Sequence, residues 1–423
     1  MADTLDLEAL AARELPALQA FGAHSLVPAG FGYLGPDGEI MAELGAQLWI
    51  NCRMTHMFSL FALADINADE SRKLATHGVR ALLENFQDQL NGGWFSWIDT
   101  ELDQAGKARP RLDKAPRKEA YAHAFVLLAG ASAMVAGIRG GEDLFNRAAE
   151  IQDAHWWEPE AGRVRESFAP DWSDLEDYRG ANANMHTVEA CLAAFDAARD
   201  PKWFKRAAAI STHLISEKAR ENAWRLPEHY TANWETDLDY NRDKPTDPFR
   251  PWGATPGHGF EWARLITQLK ATAETAGLAT QLHLDWVEEA AAGLYQTALE
   301  SWGSDGADGI PYTTDFAGIP VSSQRMHWVV CEALAASLVL SRYCQPGDSL
   351  KAIAASWAGR FGEYAQKYLI EEPGRWRHEL DATNAPATLT WPGKPDIYHA
   401  GQAMFLVNLP VAPSFAKAVA DGK

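Results

Sequence analysis

Histidine recurs at nearly constant intervals in the apolar, helix-like segments of this 423-residue chain. Six of the 13 histidines lie in such segments, and successive members are 67, 63, 72, 69 and 72 residues apart. The six are His56, His123, His186, His258, His327 and His399. An interval near 70 residues accommodates two helices with their connections, and a fixed period is typical of repeat architectures. The sequence therefore predicts six related helical units.

Turn-rich segments containing Trp and Gly, such as NGGWFSWID (91–99) and EPGRWRHEL (372–380), separate the helical segments. Nearly apolar segments such as 326–340 alternate with amphipathic ones such as 350–369. A helix that is apolar all round is buried, whereas an amphipathic helix buries one face. We therefore predict an all-α protein, an (α/α)6 barrel of six helical hairpins in two concentric rings, with short β-hairpins in the loops at one end. One catalytic domain is expected to span residues 1–423.

The composition narrows the choice of partner. The formal net charge of -19 and a pI near 5.1 argue against nucleic acid or an anionic membrane surface, since both attract basic faces. The sequence contains no run of 18 apolar residues and no basic, signal-type N-terminus. We expect a cytoplasmic protein that acts on a small neutral molecule, and the sequence leaves both a monomer and a homo-oligomer open. The four cysteines lack CxxC spacing, so neither disulfides nor a structural zinc is predicted.

Taken singly, each of these histidines is most simply a hydrogen-bonded core residue, and we expect that role for His123 and His327. Two others have an acidic residue three positions later, Glu189 after His186 and Glu261 after His258. At that spacing the two side chains share a helix face, so the carboxylate can orient the imidazole. For His186 the packing and functional interpretations are about equally good, and for His258 the functional one is favoured.

The sequence predicts no metal and no cofactor. It contains no HExxH, no GxGxxG after a strand and no GxxxxGK[ST]. What remains is acid/base chemistry by neutral imidazoles, whose ordinary pKa suits proton abstraction near neutral pH. His399 lies near the start of its helix, where the helix dipole disfavours the imidazolium and would stabilise an enediolate.

Four segments carry a family resemblance: LWINCRMTHMF (48–58), ANANMHTVEA (181–190), PWGATPGHGFEWARL (251–265) and WPGKPDIYHAGQA (391–403). The chain resembles the N-acylglucosamine 2-epimerase superfamily from about residue 20 to 410, and within it the aldose–ketose isomerase branch. The resemblance implies an (α/α)6 barrel and a cofactor-free reaction through a cis-enediol. It assigns His399 as the base that moves a proton between C2 and C1, and His258 as the partner acid/base. Glu261 would polarise or position His258.

The same resemblance implies a set of residues that bind substrate hydroxyls or stack on the sugar. These are Arg53, Asn182, His186, the weaker match Arg250, and Trp391. Trp49 is a further stacking candidate, although core packing explains it better. The expected substrate is a monosaccharide.

Several functions remain open on the sequence. Interconversion of D-mannose and D-fructose is the leading hypothesis, with D-lyxose and D-xylulose as a side pair. Sulfoquinovose isomerisation and C2 epimerisation are alternatives within the superfamily. A glycoside hydrolase or lyase would need paired carboxylates, and the acidic residues of the loops, such as Asp305 and Asp308, are explained by turn composition. A non-catalytic sugar-binding module is the remaining option.

Overall fold

A computed structural model of the protein describes residues 5–279 and 282–422. Its described residues form helices joined by loops with very short strands. The helices are α1 (Leu7–Ala23), α2 (Leu48–Leu63), α3 (Ala68–Ala81), α4 (Ala120–Val135), α5 (Gly141–Ile151), α6 (Ala181–Ala198), α7 (Pro201–Ser211), α8 (Pro256–Thr275), α9 (Val287–Leu299), α10 (His327–Tyr343), α11 (Ser349–Tyr364), α12 (Tyr398–Leu406) and α13 (Phe415–Ala420). A 3-10 turn covers Ala42–Leu44, and π-helical turns directly follow α3, α5, α7 and α11 at Leu82–Phe86, Gln152–Trp156, Thr212–Ala219 and Ala365–Leu369.

The strands are two or three residues long, as predicted for loop hairpins. They are β1 (Leu26–Val27), β2 (Gly30–Phe31), β3 (Ala46–Gln47), β4 (Trp97–Ile98), β5 (Lys118–Glu119), β6 (Trp157–Glu158), β7 (Arg163–Val164), β8 (Ser167–Phe168), β9 (Tyr178–Gly180), β10 (His229–Thr231), β11 (Thr313–Thr314), β12 (Pro320–Ser322), β13 (Arg325–Met326), β14 (Ile370–Glu372), β15 (Arg375–Trp376) and β16 (Glu379–Leu380). Several pair as local antiparallel hairpins, among them β1 with β2, β6 with β7 and β14 with β15.

The alternation of buried and amphipathic helices is confirmed. Almost every residue of α2, α4, α6 and α10 is buried, whereas α3 and α5 bury one face and carry acidic residues in their first turns. Each of the six predicted histidine-bearing segments is helical, and the histidine lies within the first six residues of five of those helices. His56 is the exception, because it lies in the middle of α2.

The residues group into two compact units. The first unit comprises residues 18–210, 393–398 and 414–422, and within it α4 packs between α2 and α6. The second unit comprises residues 5–17, 211–279, 282–392 and 399–413, and within it α10 packs against α8 and α11. The expectation of one catalytic domain over residues 1–423 stays a prediction.

Paired short strands fix the starts of the buried helices. In the first unit β3 precedes α2 and pairs with β4, and β5 precedes α4 and pairs with β8. In the second unit β13 precedes α10 and pairs with β16, while the His327 amide donates to the carbonyl of His378 at 3.0 Å. This pairing gives hydrogen-bond partners to backbone groups that would otherwise be buried without one at the start of a helix. The backbone that carries the nearby histidines is therefore fixed in position.

Candidate active site

His399 is the second residue of α12 and is 5 % exposed. Its Nδ1 lies 2.9 Å from Oε1 of Glu332, a residue of α10 that is itself 1 % exposed. A carboxylate only accepts, so a neutral His399 carries its proton on Nδ1 and donates it to Glu332. This bond fixes the ring orientation and directs the basic lone pair to Nε2, as in catalytic His–carboxylate pairs on other folds.

Arg264 of α8 binds Oε2, the second carboxylate oxygen of Glu332. Its Nε donates to Oε2 at 2.9 Å, and its terminal nitrogen forms an ion pair with the same oxygen at 2.9 Å. The guanidinium also lies 3.6 Å from Oε1 of Glu261 and donates to Gln268 at 3.2 Å. Because Arg264 is 1 % exposed, these contacts replace the water that its charge would otherwise require.

His258 is the third residue of α8, and its side chain is 14 % exposed. Its Nδ1 lies 2.9 Å from Oε1 of Glu228, which comes from the loop before β10. Within the described part of the chain, Nε2 of His258 has no hydrogen-bond partner. The i+3 spacing predicts Glu261 as the partner of this ring, but the structure gives the Nδ1 contact to Glu228, and Glu261 is paired with Arg264 instead.

The indole of Trp328 links the two histidines. Its ring centroid lies 5.2 Å from that of His258 and 5.9 Å from that of His399, with interplanar angles of 38° and 39°. The two imidazoles are therefore separated by no more than the sum of these distances. The Trp328 ring can pack directly against the backbone of α8 because residue 257 is glycine. A Cβ at Gly257 would lie 2.5 Å from this ring.

Two more histidines lie beside His399. His327 and His378 are stacked with ring centroids 3.7 Å apart, and His327 lies edge-on to His399 at 6.2 Å. Both rings are buried. The burial of His327 is as expected for a core residue, and its stack with His378 lies beside His399.

In the first unit Arg53 is enclosed by aromatic rings. Its guanidinium carbon lies 4.5 to 4.9 Å from the ring centroids of Phe125, Tyr398 and Trp49, and it binds Asp396 at 3.2 Å and the Tyr121 hydroxyl at 3.0 Å. Burial disfavours the charged form, but Tyr121, Asp396 and Tyr398 more than offset it, so the pKa of Arg53 is raised. Arg53 is therefore a permanent buried cation, suited to binding oxygen atoms.

His186 shares the aromatic surroundings of Arg53, since it packs against Tyr121 and Phe125 at 5.2 and 4.6 Å. Its Nδ1 lies 3.5 Å from Oε2 of Glu189, which also accepts a hydrogen bond from the Tyr398 hydroxyl. The prediction that His186 and Glu189 meet on one helix face is confirmed.

The three remaining predicted binding residues differ in environment. Asn182, at the start of α6, has a buried Oδ1 with no hydrogen-bond partner among the described residues. Arg250 is partly exposed and donates to the Tyr240 hydroxyl at 3.4 Å. Trp391 is partly exposed, packs edge-on against Phe249 at 5.7 Å, and donates its amide to Glu379 at 3.0 Å. Trp49 is 8 % exposed and packs on Arg53, as expected for a core residue.

His56 and His123 are held in the core of the first unit. Nδ1 of His56 lies 2.7 Å from Ser132 Oγ, and burial lowers its pKa to about 4. Nδ1 of His123 donates to the Glu119 carbonyl at 2.7 Å and Nε2 accepts from the Trp94 amide, with burial lowering its pKa to about 3. Both nitrogens of His123 are occupied, which leaves this ring no atom for a substrate.

Four residues around the histidines were missed by the sequence analysis: Glu228, Arg264, Trp328 and Glu332. A usable signal existed for two of them, because Glu332 and Arg264 are ionisable residues inside mainly apolar helical segments. A charge on a buried helix face has to find a partner, so such residues point to a polar network. Glu228 lies in a loop and gave no comparable signal.

Comparison with known proteins gives consistent results. The family model described as N-acylglucosamine 2-epimerase matches residues 30–403. D-mannose isomerase of Thermobifida fusca is 43 % identical over 394 residues, which cover 92 % of this chain and 91 % of the relative. D-mannose isomerase of Pseudomonas cannabina pv. alisalensis is 40 % identical and covers 95 % and 93 %.

Among solved structures, a crystal structure of D-mannose isomerase superposes with a TM-score of 0.82 at 26 % identity, covering 96 % of this chain and 98 % of that one. This likeness confirms the predicted fold class, an all-α protein of the (α/α)6-barrel type with short β-hairpins in its loops. No helix among the described residues has both the length and the apolarity to cross a bilayer.

Proposed function

The chain belongs to the N-acylglucosamine 2-epimerase family and is an isomerase, and from this premise we propose that it interconverts D-mannose and D-fructose without a cofactor. Relatives that are 43 % and 40 % identical and named D-mannose isomerase support this substrate. D-lyxose and D-xylulose, which have the same arrangement at C1 and C2, are the proposed side pair.

One geometric observation carries the proposal. His258 and His399 flank the same indole, and each has its Nδ1 bound by a buried glutamate at 2.9 Å. Both rings therefore direct Nε2 as the nitrogen that exchanges a proton. Two oriented imidazoles near an aromatic face are what an aldose–ketose isomerisation needs, because it moves one proton between carbons and one between oxygens.

The proposed reaction starts from the open-chain aldehyde. Nε2 of His399 takes the proton from C2 while His258, in its imidazolium form, donates its Nε2 proton to O1, and the C1–C2 double bond of the cis-enediol forms. His258, now neutral, takes the O2 proton as the C2 carbonyl forms, and His399 returns its proton to C1. His258 thus carries the proton between O1 and O2, and it also assists ring opening. Glu332 stabilises the imidazolium that exists while His399 holds the C2 proton.

The remaining residues have proposed binding roles. Arg53, Asn182, His186 and Arg250 would bind sugar hydroxyls. Trp328 would contact the apolar face of the sugar, and Trp391 would stack on it from its own loop. Oδ1 of Asn182 has no donor among the described residues, which supports its role, since a buried acceptor without a donor is costly and a hydroxyl would satisfy it. Glu261 belongs to the same helix as His258. We propose that it polarises or positions the His258 ring, as the family resemblance implies.

C2 epimerisation is the second candidate, because two imidazoles at one carbon could also address its two faces. Incubation with D-mannose in D2O distinguishes the reactions by NMR. Isomerisation gives D-fructose with deuterium at C1, whereas epimerisation gives D-glucose with deuterium at C2. Sulfoquinovose is tested as a parallel substrate. Absence of any turnover by the wild type on all these sugars would contradict the proposal.

A further inference from the structure

Arg264 is a buried cation shared by two carboxylates. Arg264, Glu261 and Glu332 are each 1 % exposed, and the guanidinium lies 3.6 Å from Glu261 and 2.9 Å from Glu332. Burying three charges is expensive, and a hydrophobic replacement of a buried ion pair is often neutral or stabilising. A purely structural contact between α8 and α10 would therefore not require these residues.

Arg264 and His399 bind different oxygens of the same carboxylate: Oε2 of Glu332 lies 2.9 Å from the guanidinium, whereas Oε1 lies 2.9 Å from Nδ1 of His399. Ionisable groups packed near this ring include His327 of α10, 6.2 Å from it, and His378, stacked on His327. Without Arg264, Glu332 would lose this neighbouring cation.

Resting on the proposed function, we propose that Arg264 is a positioning residue for the proton transfer: it keeps Glu332 ionised and oriented on Nδ1 of His399, and it keeps His399 unprotonated at neutral pH. The two oxygens of Glu332 are divided between the two tasks, Oε2 to Arg264 and Oε1 to His399. A base that is already protonated cannot take the C2 proton. Arg264 thus sets the lower pH limit of the reaction without touching the substrate.

Removal of Arg264 shifts the apparent pKa in the same direction whether Glu332 or His399 binds the proton. Glu332 and His399 are 2.9 Å apart and titrate as a pair. Removing a nearby positive charge makes proton uptake by either member more favourable, so the apparent pKa of the pair rises. The acid limb of the rate profile must then move to higher pH.

The test compares Arg264→Met, Arg264→Gln and Arg264→Lys with Arg325→Met. Arg325 is a suitable control because it is also 1 % exposed and paired with a carboxylate, Asp305, at 2.6 Å. We expect the acid limb of kcat to shift upward by at least one pH unit in Arg264→Met and Arg264→Gln, with KM changed less than threefold. Arg264→Lys should restore most of the wild-type limb, and Arg325→Met should leave the limb in place.

A second readout needs no turnover. Histidine-selective 15N NMR, assigned with His399→Asn, gives the tautomer and the apparent pKa of His399 in the wild type and in the Arg264 variants. We expect an Nδ1–H tautomer in the wild type and a raised apparent pKa in Arg264→Met. An Nε2–H tautomer in the wild-type protein, or an unmoved pKa and acid limb in folded variants, would overturn the inference. If the sugar assays fail but the NMR results hold, only the proposed function is lost.

Discussion

Nδ1 of His399 lies 2.9 Å from a carboxylate oxygen of Glu332, although the two residues are 67 positions apart in the chain. Both side chains are almost fully buried. A charge-assisted hydrogen bond in such surroundings is strong, and its loss leaves the imidazole free to rotate or change tautomer. This contact connects the fold to the proposed chemistry more directly than any other.

Glu332→Gln is expected to lower kcat for mannose isomerisation by about 10²-fold or more, the range for a positioned acid/base group. An amide cannot stabilise the imidazolium that follows C2 deprotonation, but it preserves the shape of the site, so KM should change little. Steady-state kinetics with D-mannose measures both parameters. A tenfold or larger rise in KM with unchanged kcat would contradict the assignment.

Glu228→Gln tests the carboxylate that contacts Nδ1 of His258. Glu228 binds Nδ1 directly, whereas Glu261 is paired with Arg264. We expect Glu228→Gln to lower kcat by about tenfold or more through loss of ring orientation. Solvent exchange at C2 and fructose formation, followed together by NMR, measure the effect on proton transfer. Wild-type rates in Glu228→Gln would show that this contact does not position the ring.

Gly257→Ala is expected to displace Trp328 and slow the reaction. The added Cβ would lie 2.5 Å from the indole, which real Cβ atoms do not tolerate, so the ring must shift from its present position. The change should reduce kcat/KM and alter the near-ultraviolet circular dichroism.

The matched control for this prediction is Gly359→Ala in α11. A Cβ at Gly359 would meet no atom of the described residues within 4 Å, so the substitution should raise helix stability by up to about 1 kcal/mol. It should leave the kinetics unchanged. Equal kinetic effects of the two substitutions would exclude the steric explanation.

Acid should destabilise the protein through His56 and His123. Their pKa values in the fold are lowered to about 4 and about 3, below the ordinary value of 6.5, because burial disfavours the imidazolium. At a pH between the ordinary pKa and these lowered values, the unfolded chain binds more protons than the folded protein. The free energy of unfolding therefore falls as the pH drops below about 6.5. From pH 7 to 5 each buried ring accounts for a loss of up to roughly 2 kcal/mol.

Urea unfolding of the wild type and of His56→Gln at pH 5, 6 and 7 measures this contribution. The glutamine variant is expected to be less stable at pH 7 but to lose less stability on acidification. A slope with pH equal to that of the wild type would exclude His56 as a source of the acid sensitivity.

Much of the fold could be predicted from local patterns. The apolar segments that contain the six histidines are all helical, and each short hairpin region lies between helices, because helix periodicity and turn residues act over a few positions. The assignment of the site residues, which comes from the family resemblance, stays a prediction. The i+3 pair of His186 and Glu189 could be found because both residues belong to one helix turn.

The sequence by itself determined the helices, their repetition and the position of each histidine, since these depend on spacing along the chain. Only the tertiary structure decided which carboxylate each imidazole binds. Glu228 reaches His258 across 30 positions and Glu332 reaches His399 across 67, and Arg264 joins α8 to α10. Such partners are chosen by which helix faces and loops pack together, and this packing is not encoded in any short stretch of residues.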